Sequence, residues 1–240
     1  MKIALIGYGK MGKMVEMAAK SKGYSITAII DPHLENNIIT KDSVNTADVC
    51  IDFTNPSSAL DNIKALASLG KNIVMGTTGW YNDIDGVKRI VEQANIGFLY
   101  SPNFSIGVAL FLEIVSQAAA LISPFDAYDV GGYEIHHSQK ADFPSGTAKA
   151  ISQRLLSNIP RKKEVIYQIN HKILPDQIHF TCLRNGSTPG THSVSFDSPA
   201  DTITLTHTAR SREGFALGAI QAAEWLNGKK GFFTLDDMLL

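Results

Sequence analysis

The chain has 240 residues and a formal net charge of −1, room for one large domain or two modest ones. So balanced a charge excludes a globally basic surface for nucleic acid. No apolar run is long enough to span a bilayer, and no basic segment precedes an apolar core, so a soluble cytoplasmic protein with no membrane partner is expected.

The chain opens with Lys2-Ile3-Ala4-Leu5-Ile6, a short apolar run suited to a strand buried on both faces. Gly7-Tyr8-Gly9-Lys10-Met11-Gly12 follows as a G-x-G-x-x-G and leads into a predicted helix over Lys13–Ser21. In that pattern Gly7 makes the tight turn, Gly9 lets the backbone approach a pyrophosphate, and Gly12 lets helix and strand pack closely. The next strand, Ile26–Ile30, ends in Asp31, an acid placed to accept hydrogen bonds from ribose hydroxyls. Asp31 would repel a 2′-phosphate and no Arg follows it, so NADH is favoured over NADPH. Lys10, Lys13 and a protonated His33 leave dual use open.

Pro32 to Thr46 reads as polar and irregular. Strands then alternate with helices: Val49–Phe53, a helix over Ala59–Leu69, Ile73–Met75, a helix over 84–94, and Ile96–Tyr100. This alternation predicts a Rossmann-like, doubly wound parallel sheet, with ligands outside the carboxyl ends of its strands. Asp52-Phe53-Thr54, Gly76-Thr77-Thr78 and Asn103-Phe104-Ser105 all fall at such ends, where ordinary turns would also occur. Cys50 and Cys182 lie in strand-like runs without zinc spacing and are expected as buried free thiols.

Beyond Phe104 the pattern changes. A long apolar helix is predicted over Val108–Leu121, then strands at Tyr128–His136, Val165–Asn170, Ile178–Arg184, Thr191–Asp197 and Thr202–Thr208. Their polar alternation suits an antiparallel or mixed sheet. Helical spacing returns over Gly214–Leu226, expected to pack on the N-terminal domain. The fold class is therefore α/β, with a second, α+β domain built on a mixed sheet. The expected division is 1–104 with 213–240 for the dinucleotide and 105–212 for a second domain, to which the family likeness described below assigns substrate binding and oligomerisation.

Residues 134–148, Glu-Ile-His-His-Ser-Gln-Lys-Ala-Asp-Phe-Pro-Ser-Gly-Thr-Ala, concentrate the remaining chemistry. Imidazoles donate protons near neutral pH and an ammonium can hold a carboxylate. Ser145-Gly146-Thr147 opens a predicted helix over Ala148–Leu156, whose first N–H groups and positive dipole end suit an anion. Such pieces also occur in surface loops, metal sites and helix caps that bind nothing. His136 and His137, adjacent in a strand, would point to opposite faces and poorly suit one ion, so no metal is expected.

With these residues assembled, the chain resembles the dihydrodipicolinate reductase (4-hydroxy-tetrahydrodipicolinate reductase) family. The motif Glu-x-His-His-x-x-Lys-x-Asp-x-Pro-Ser-Gly-Thr-Ala runs from Glu134 to Ala148. Ile51–Thr54, Gly76–Gly79, Asn103–Gly107 and Ser211–Phe215 extend the likeness over nearly the whole chain. The resemblance implies NAD(P)H-dependent reduction of a cyclic imine dicarboxylate to tetrahydrodipicolinate on the diaminopimelate route to lysine. It implies His136 as general acid, Lys140 as the cation on a substrate carboxylate, and His137, Ser145, Gly146 and Thr147 as further substrate contacts. Gly7, Gly9, Lys10, Met11, Gly12, Asp31, Phe53, Thr54, Gly76, Thr78, Asn103, Phe104 and Arg212 would line the cofactor. A homotetramer joined through the second-domain sheets is implied too. Three departures stand out: Phe143 where a small residue is usual, Thr191 where many members carry an acid, and a short loop after Asp31.

Other readings are a different two-domain nicotinamide dehydrogenase and a nucleotide-binding sensor without catalysis. The first leaves Lys140 and Pro-Ser-Gly-Thr unexplained; the second leaves His136, His137 and Lys140 unexplained.

Overall fold

A computed structural model of the protein describes residues 1–35 and 37–239; residue 36, inside the stretch read as irregular, and residue 240 fall outside the described residues. The chain forms two compact units, Met1–Ile106 with Glu213–Leu240, and Gly107–Arg212.

The first unit begins with β1 (Lys2–Ile6), α1 (Lys10–Ser21), β2 (Ser25–Ile30), α2 (Lys41–Val44), β3 (Val49–Asp52), α3 (Pro56–Ser68), β4 (Asn72–Met75), α4 (Ile84–Ala94) and β5 (Gly97–Tyr100). From the boundary helix α5 (Ile106–Ile122) the second unit runs through β6 (Asp129–His136), α6 (Gly146–Asn158), β7 (Glu164–Ile166), β8 (Gln177–Arg184), β9 (Thr191–Asp197) and β10 (Thr202–Thr208). The chain returns to the first unit with α7 (Glu213–Leu226), β11 (Gly231–Thr234) and α8 (Leu235–Leu239).

All six strands of the first sheet run parallel in the order β11-β5-β4-β3-β1-β2. The order reverses between β1 and β3, the switch point where a doubly wound sheet opens a crevice for ligands. Ile3 to Ile6, Val49 to Ile51 and Ile73 to Met75 are buried, as strands covered on both faces require. The last strand was not foreseen: Gly231–Thr234 is short and stands between Lys229-Lys230 and α8, yet it pairs with β5 over its whole length. α7 packs on α1 and on β3, β4 and β5. At Gly218 a Cβ would lie 1.7 Å from the Phe104 carbonyl oxygen, so only glycine allows this approach.

α4 starts where sequence spacing places it, while α3 and α1 start earlier than their apolar residues suggest. α3 begins at Pro56, with Asn55 Oδ1 accepting from Ser58 N at 3.2 Å and Pro56 in the first turn. α1 begins at Lys10, its first turn closed by Lys13 N donating to the Gly9 carbonyl at 3.2 Å. Thr40 caps the short α2 inside the stretch read as irregular, with Ser43 N donating to its hydroxyl.

The second sheet has the order β10-β9-β6-β8-β7 and is mixed: β6 runs parallel to β8 and antiparallel to β9. Val130, Ile178, Phe180, Val194 and Phe196 point inward against α5 and α6 in a core of their own. Two expectations need correction. β7 stops at Ile166 rather than Asn170, because it is an edge strand whose pairing with β8 ends at His179. Cys182 is half-buried rather than buried, while Cys50 is fully buried with its thiol pushed by burial up to about 12.

Candidate active site and dinucleotide cleft

In the first unit the carboxyl ends of β1, β2 and β3 surround a cavity of about 500 Å³. Its walls include Gly7, Gly9, Asp31, Phe53 and Thr54. The three loop glycines do different jobs. A Cβ on Gly7 would lie 2.4 Å from the Phe53 carbonyl oxygen, and one on Gly12 would lie 2.2 Å from the Gly7 carbonyl oxygen. A Cβ on Gly9 would meet nothing within 4 Å. Gly7 and Gly12 thus serve packing, and Gly9 leaves open backbone for a ligand. Asp31 accepts from Tyr8 N at 2.7 Å and from His33 N at 2.9 Å. Those bonds, His33 first, hold its carboxyl below the usual carboxylate range. An open glycine, an ionised acid at the end of β2 and a cleft at the switch point fit a dinucleotide.

Lys10 is exposed and Met11 half-buried at the start of α1. The Phe53 ring lies so close over Gly76 that a Cβ there would sit 2.1 Å from it. Phe53 also meets Phe104 edge-on at 6.1 Å between centroids. Thr78 is exposed, and Asn103 Oδ1 accepts from Ser105 N at 2.8 Å.

Two features escaped the sequence reading. Ser58, Asp61, Asn62 and Ala65 line the cavity from one face of α3, a spacing of i, i+3, i+4 and i+7 that helical periodicity carries. Asp52 is fully buried and ties β3 to the loop after β4. It accepts from Thr54 N at 3.1 Å, Thr54 Oγ1 at 2.8 Å, Thr77 Oγ1 at 2.7 Å and Asn62 Nδ2 at 2.9 Å. Burial pushes its carboxyl above the usual range, against the opposing pull of these bonds.

In the second unit the inward face of β6 turns from apolar to polar along its length: Val130, then Glu134 and His136, all buried. Strand register sets the neighbours, since Glu134 pairs directly with His192 on β9, and His136 with Arg184 on β8. Glu134 Oε1 accepts from Ser145 N at 3.1 Å and Arg184 Nη2 at 3.0 Å. Burial would raise the Glu134 carboxyl, but attraction to His136, His192 and Ser145 outweighs it and holds the group well below the carboxylate range. His136 Nδ1 lies 3.2 Å from the Pro189 carbonyl oxygen, and its Nε2 faces His192 Nε2 at 3.4 Å. A Cβ on Gly190 would come within 2.8 Å of the His136 ring, so this glycine makes room for the imidazole.

Past the strand, His137 is half-buried with its Nε2 3.5 Å from Arg212 Nη2. Lys140 Nζ pairs with Asp142 Oδ1 at 2.7 Å. Burial would lift the Asp142 carboxyl, and the ammonium reverses that and holds it down. Ser145 caps α6, its Oγ accepting from Ala148 N at 3.1 Å. Both its N–H and its hydroxyl are thereby engaged within the fold. Gly146 is exposed, and a Cβ there would meet nothing within 4 Å, so the backbone is open to approach at that residue. Phe143 is 44% exposed with its ring centroid 5.9 Å from the Arg184 guanidinium carbon, within cation–π range. Thr191 donates to Thr208 Oγ1 at 3.2 Å within the sheet. Among the described residues no helix is long and apolar enough to cross a membrane.

Comparison with known proteins identifies the family. The profile for dihydrodipicolinate reductase, N-terminus, matches residues 1–104, and that for dihydrodipicolinate reductase, C-terminus, matches residues 107–239. A 4-hydroxy-tetrahydrodipicolinate reductase from Christiangramia forsetii is 39% identical over 239 residues, covering 100% of this chain and 98% of its own. One from Archaeoglobus fulgidus is 35% identical over 266 residues, covering 100% of both. The solved dihydrodipicolinate reductase of a Paenisporosarcina species, with dipicolinate bound, superposes with a TM-score of 0.77 at 23% identity. It covers 99% of this chain and 98% of its own, and at that identity it speaks for the fold. The chain, with its NAD(P)-binding Rossmann fold and mixed-sheet second unit, belongs to the dihydrodipicolinate reductase family of NAD(P)H-dependent reductases.

Proposed function

We propose that the protein reduces 4-hydroxy-tetrahydrodipicolinate to tetrahydrodipicolinate with NADH or NADPH, NADH being favoured, in diaminopimelate and lysine biosynthesis. The observation that carries the reading is the β6–α6 connection. Within a few residues it supplies a buried imidazole, a lysine and an open helix start. A ring with two carboxylates needs two separate sites for negative charge. Lys140 serves one through charge-assisted hydrogen bonds, displacing Asp142. The first turn of α6, at Gly146 and Thr147, serves the other through N–H groups and the helix dipole. His137 and Ser145 complete the substrate contacts, Ser145 chiefly by shaping the turn.

NAD(P)H, when bound, supplies the hydride. Gly7, Gly9, Lys10, Met11 and Gly12 hold the pyrophosphate region, and Asp31 accepts from the adenosine ribose. Phe53, Thr54, Gly76, Thr78, Asn103, Phe104 and Arg212 line the rest. Asp61 adds a second acid to the lining of the cleft that holds Asp31, which further disfavours a 2′-phosphate. His136 delivers the proton that reduction of a conjugated imine requires, lowering the barrier as general acid. Residues 1–104 with 213–240 serve the cofactor, and 105–212 serve substrate and assembly into a homotetramer in the cytoplasm.

The test is oxidation of NADH and of NADPH, followed by absorbance, with substrate generated in situ by the preceding synthase. Oxidation that depends on the synthase product is expected, with the larger kcat/KM for NADH. A folded protein that binds NADH but does not oxidise it under those conditions would overturn the substrate assignment.

A further inference from the structure

His136 Nε2, His192 Nε2 and Glu134 Oε2 form a nearly equilateral triangle with edges of 3.4, 3.5 and 3.4 Å. All three residues are buried. Hydrogen bonds between such atoms run about 2.7–3.2 Å, and a proton shared within the cluster would draw one edge into that range. None of the edges is so short. Glu134 Oε2 is fully buried, faces the triangle and has no hydrogen-bond partner, although Oε1 of the same carboxylate has two. A buried carboxyl oxygen with two imidazole nitrogens at 3.4 and 3.5 Å but no hydrogen bond is costly, and it marks a position where a cation would be stabilised.

Zinc takes N and O ligands at about 2.0–2.1 Å, which sets the edges of a tetrahedral ligand set at about 3.3–3.4 Å. The observed edges match this spacing. The second shell is present for one imidazole, since His136 Nδ1 faces the Pro189 carbonyl, which directs the Nε2 lone pair inward. Arg184 and the Ser145 N–H hold the carboxylate from its far side. Ser145 Oγ, 3.4 Å from His192 Nε2, borders the fourth position, which it or a water can fill.

We propose that Glu134, His136 and His192 form a binding site for a divalent transition metal of the zinc type, and that its occupancy inhibits the enzyme. The ligand set differs from the His136–His137 pair, because strand register rather than sequence adjacency brings it together. Metal on His136 Nε2 occupies the lone pair that would carry the proton. This inhibitory consequence, unlike the binding, rests on the reductase reading and on His136 as general acid.

The test uses full-length, chelator-treated protein titrated with Co²⁺ and read by its visible ligand-field spectrum, with Zn²⁺ added as competitor. One equivalent of Co²⁺ is expected to give intense, tetrahedral-type bands that stoichiometric Zn²⁺ bleaches. His192→Gln and Glu134→Gln, each verified as folded by circular dichroism, should weaken Co²⁺ binding more than about 100-fold, since even outer-shell changes cost up to that. His171→Gln, on an exposed loop outside the cluster, should change nothing. X-ray absorption of the wild-type Zn²⁺ complex should report two imidazoles, a reading independent of any variant's folding. Zn²⁺ should inhibit reduction with the midpoint at which it displaces Co²⁺. Weak octahedral-type bands, or a spectrum that survives in a folded His192→Gln variant, would overturn the site. Absent binding in an enzyme that still reduces its substrate would do so while sparing the reductase reading. Tight binding without inhibition would overturn the inhibitory role and His136's assignment as proton donor together.

Discussion

The backbone N–H of Tyr8 donates to Asp31 Oδ2 at 2.7 Å, so the acid at the end of β2 also holds the first turn of the glycine loop. In the proposed function the same carboxylate also selects the cofactor, and that role is open to test.

Asp31→Asn removes a charge and one of two accepted bonds. Bonds to a charged group contribute about 1.5–3 kcal/mol, so kcat/KM for NADH should fall about 10-fold or more. NADPH should lose less, because a repulsion disappears with the charge. The folded carboxyl lies below its unfolded value, so its contribution is present above about pH 4 and lost only as the medium becomes more acidic. NADH KM should therefore be flat in its Asp31-dependent part from neutral pH down to that point. An unchanged NADH-to-NADPH ratio in the variant would remove Asp31 as the selector.

Gly9→Ala and Gly12→Ala should separate binding from folding. The methyl at position 12 meets the Gly7 carbonyl at 2.2 Å and should destabilise by about 1–3 kcal/mol, read as a lowered Tm. At position 9 it meets nothing, so Tm should hold while cofactor KM rises. Equal Tm losses in both variants would refute the division of labour.

Asp52 titrates in the opposite sense to Asp31. Its folded carboxyl lies above its unfolded value, so the folded state binds more protons between the two and stability falls as pH rises through that window. Asp52→Asn should abolish this slope, gaining on wild type as pH increases, in denaturant unfolding at several pH values. Asp52→Ala should instead lose stability at every pH, since Thr77, Thr54 and Asn62 are left without their acceptor. Parallel pH profiles for wild type and Asp52→Asn would contradict the assignment.

Lys140→Ala should raise substrate KM about 10- to 100-fold, the worth of a charge-assisted contact, and also slow turnover. His136→Gln should lower kcat chiefly and leave NADH binding nearly intact. Loss of NADH binding in the second variant would point to misfolding rather than lost proton transfer.

Cys50 is buried with its thiol pushed up to about 12, so a thiol reagent should label it only after denaturation. Rapid labelling in the native protein, detected by mass spectrometry, would show that β3 opens.

Much of the molecule is legible without coordinates because its signals are local. Gly7 to Gly12, Asp31 and residues 134–148 each lie within one turn or one strand–helix junction, where steric and capping rules act over a few residues. β11 is not legible, because four residues of β propensity mean nothing until β5 offers an edge. The early start of α3 at Pro56 depends on the Asn55 cap rather than on apolar spacing.

Residue order alone carries the doubly wound half, the glycine loop with its acid, and the group of imidazole, lysine and helix start after β6. Folding in three dimensions is what lets Asp52 knot two cleft loops together. It alone set Lys140 against Asp142, and packed His192 with Glu134 and His136 in one buried triangle. Strand register is the cause: hydrogen bonding between β6 and β9 places Glu134 opposite His192, and a slip of one residue would turn that histidine to the other face. Sequence distance carries no such information.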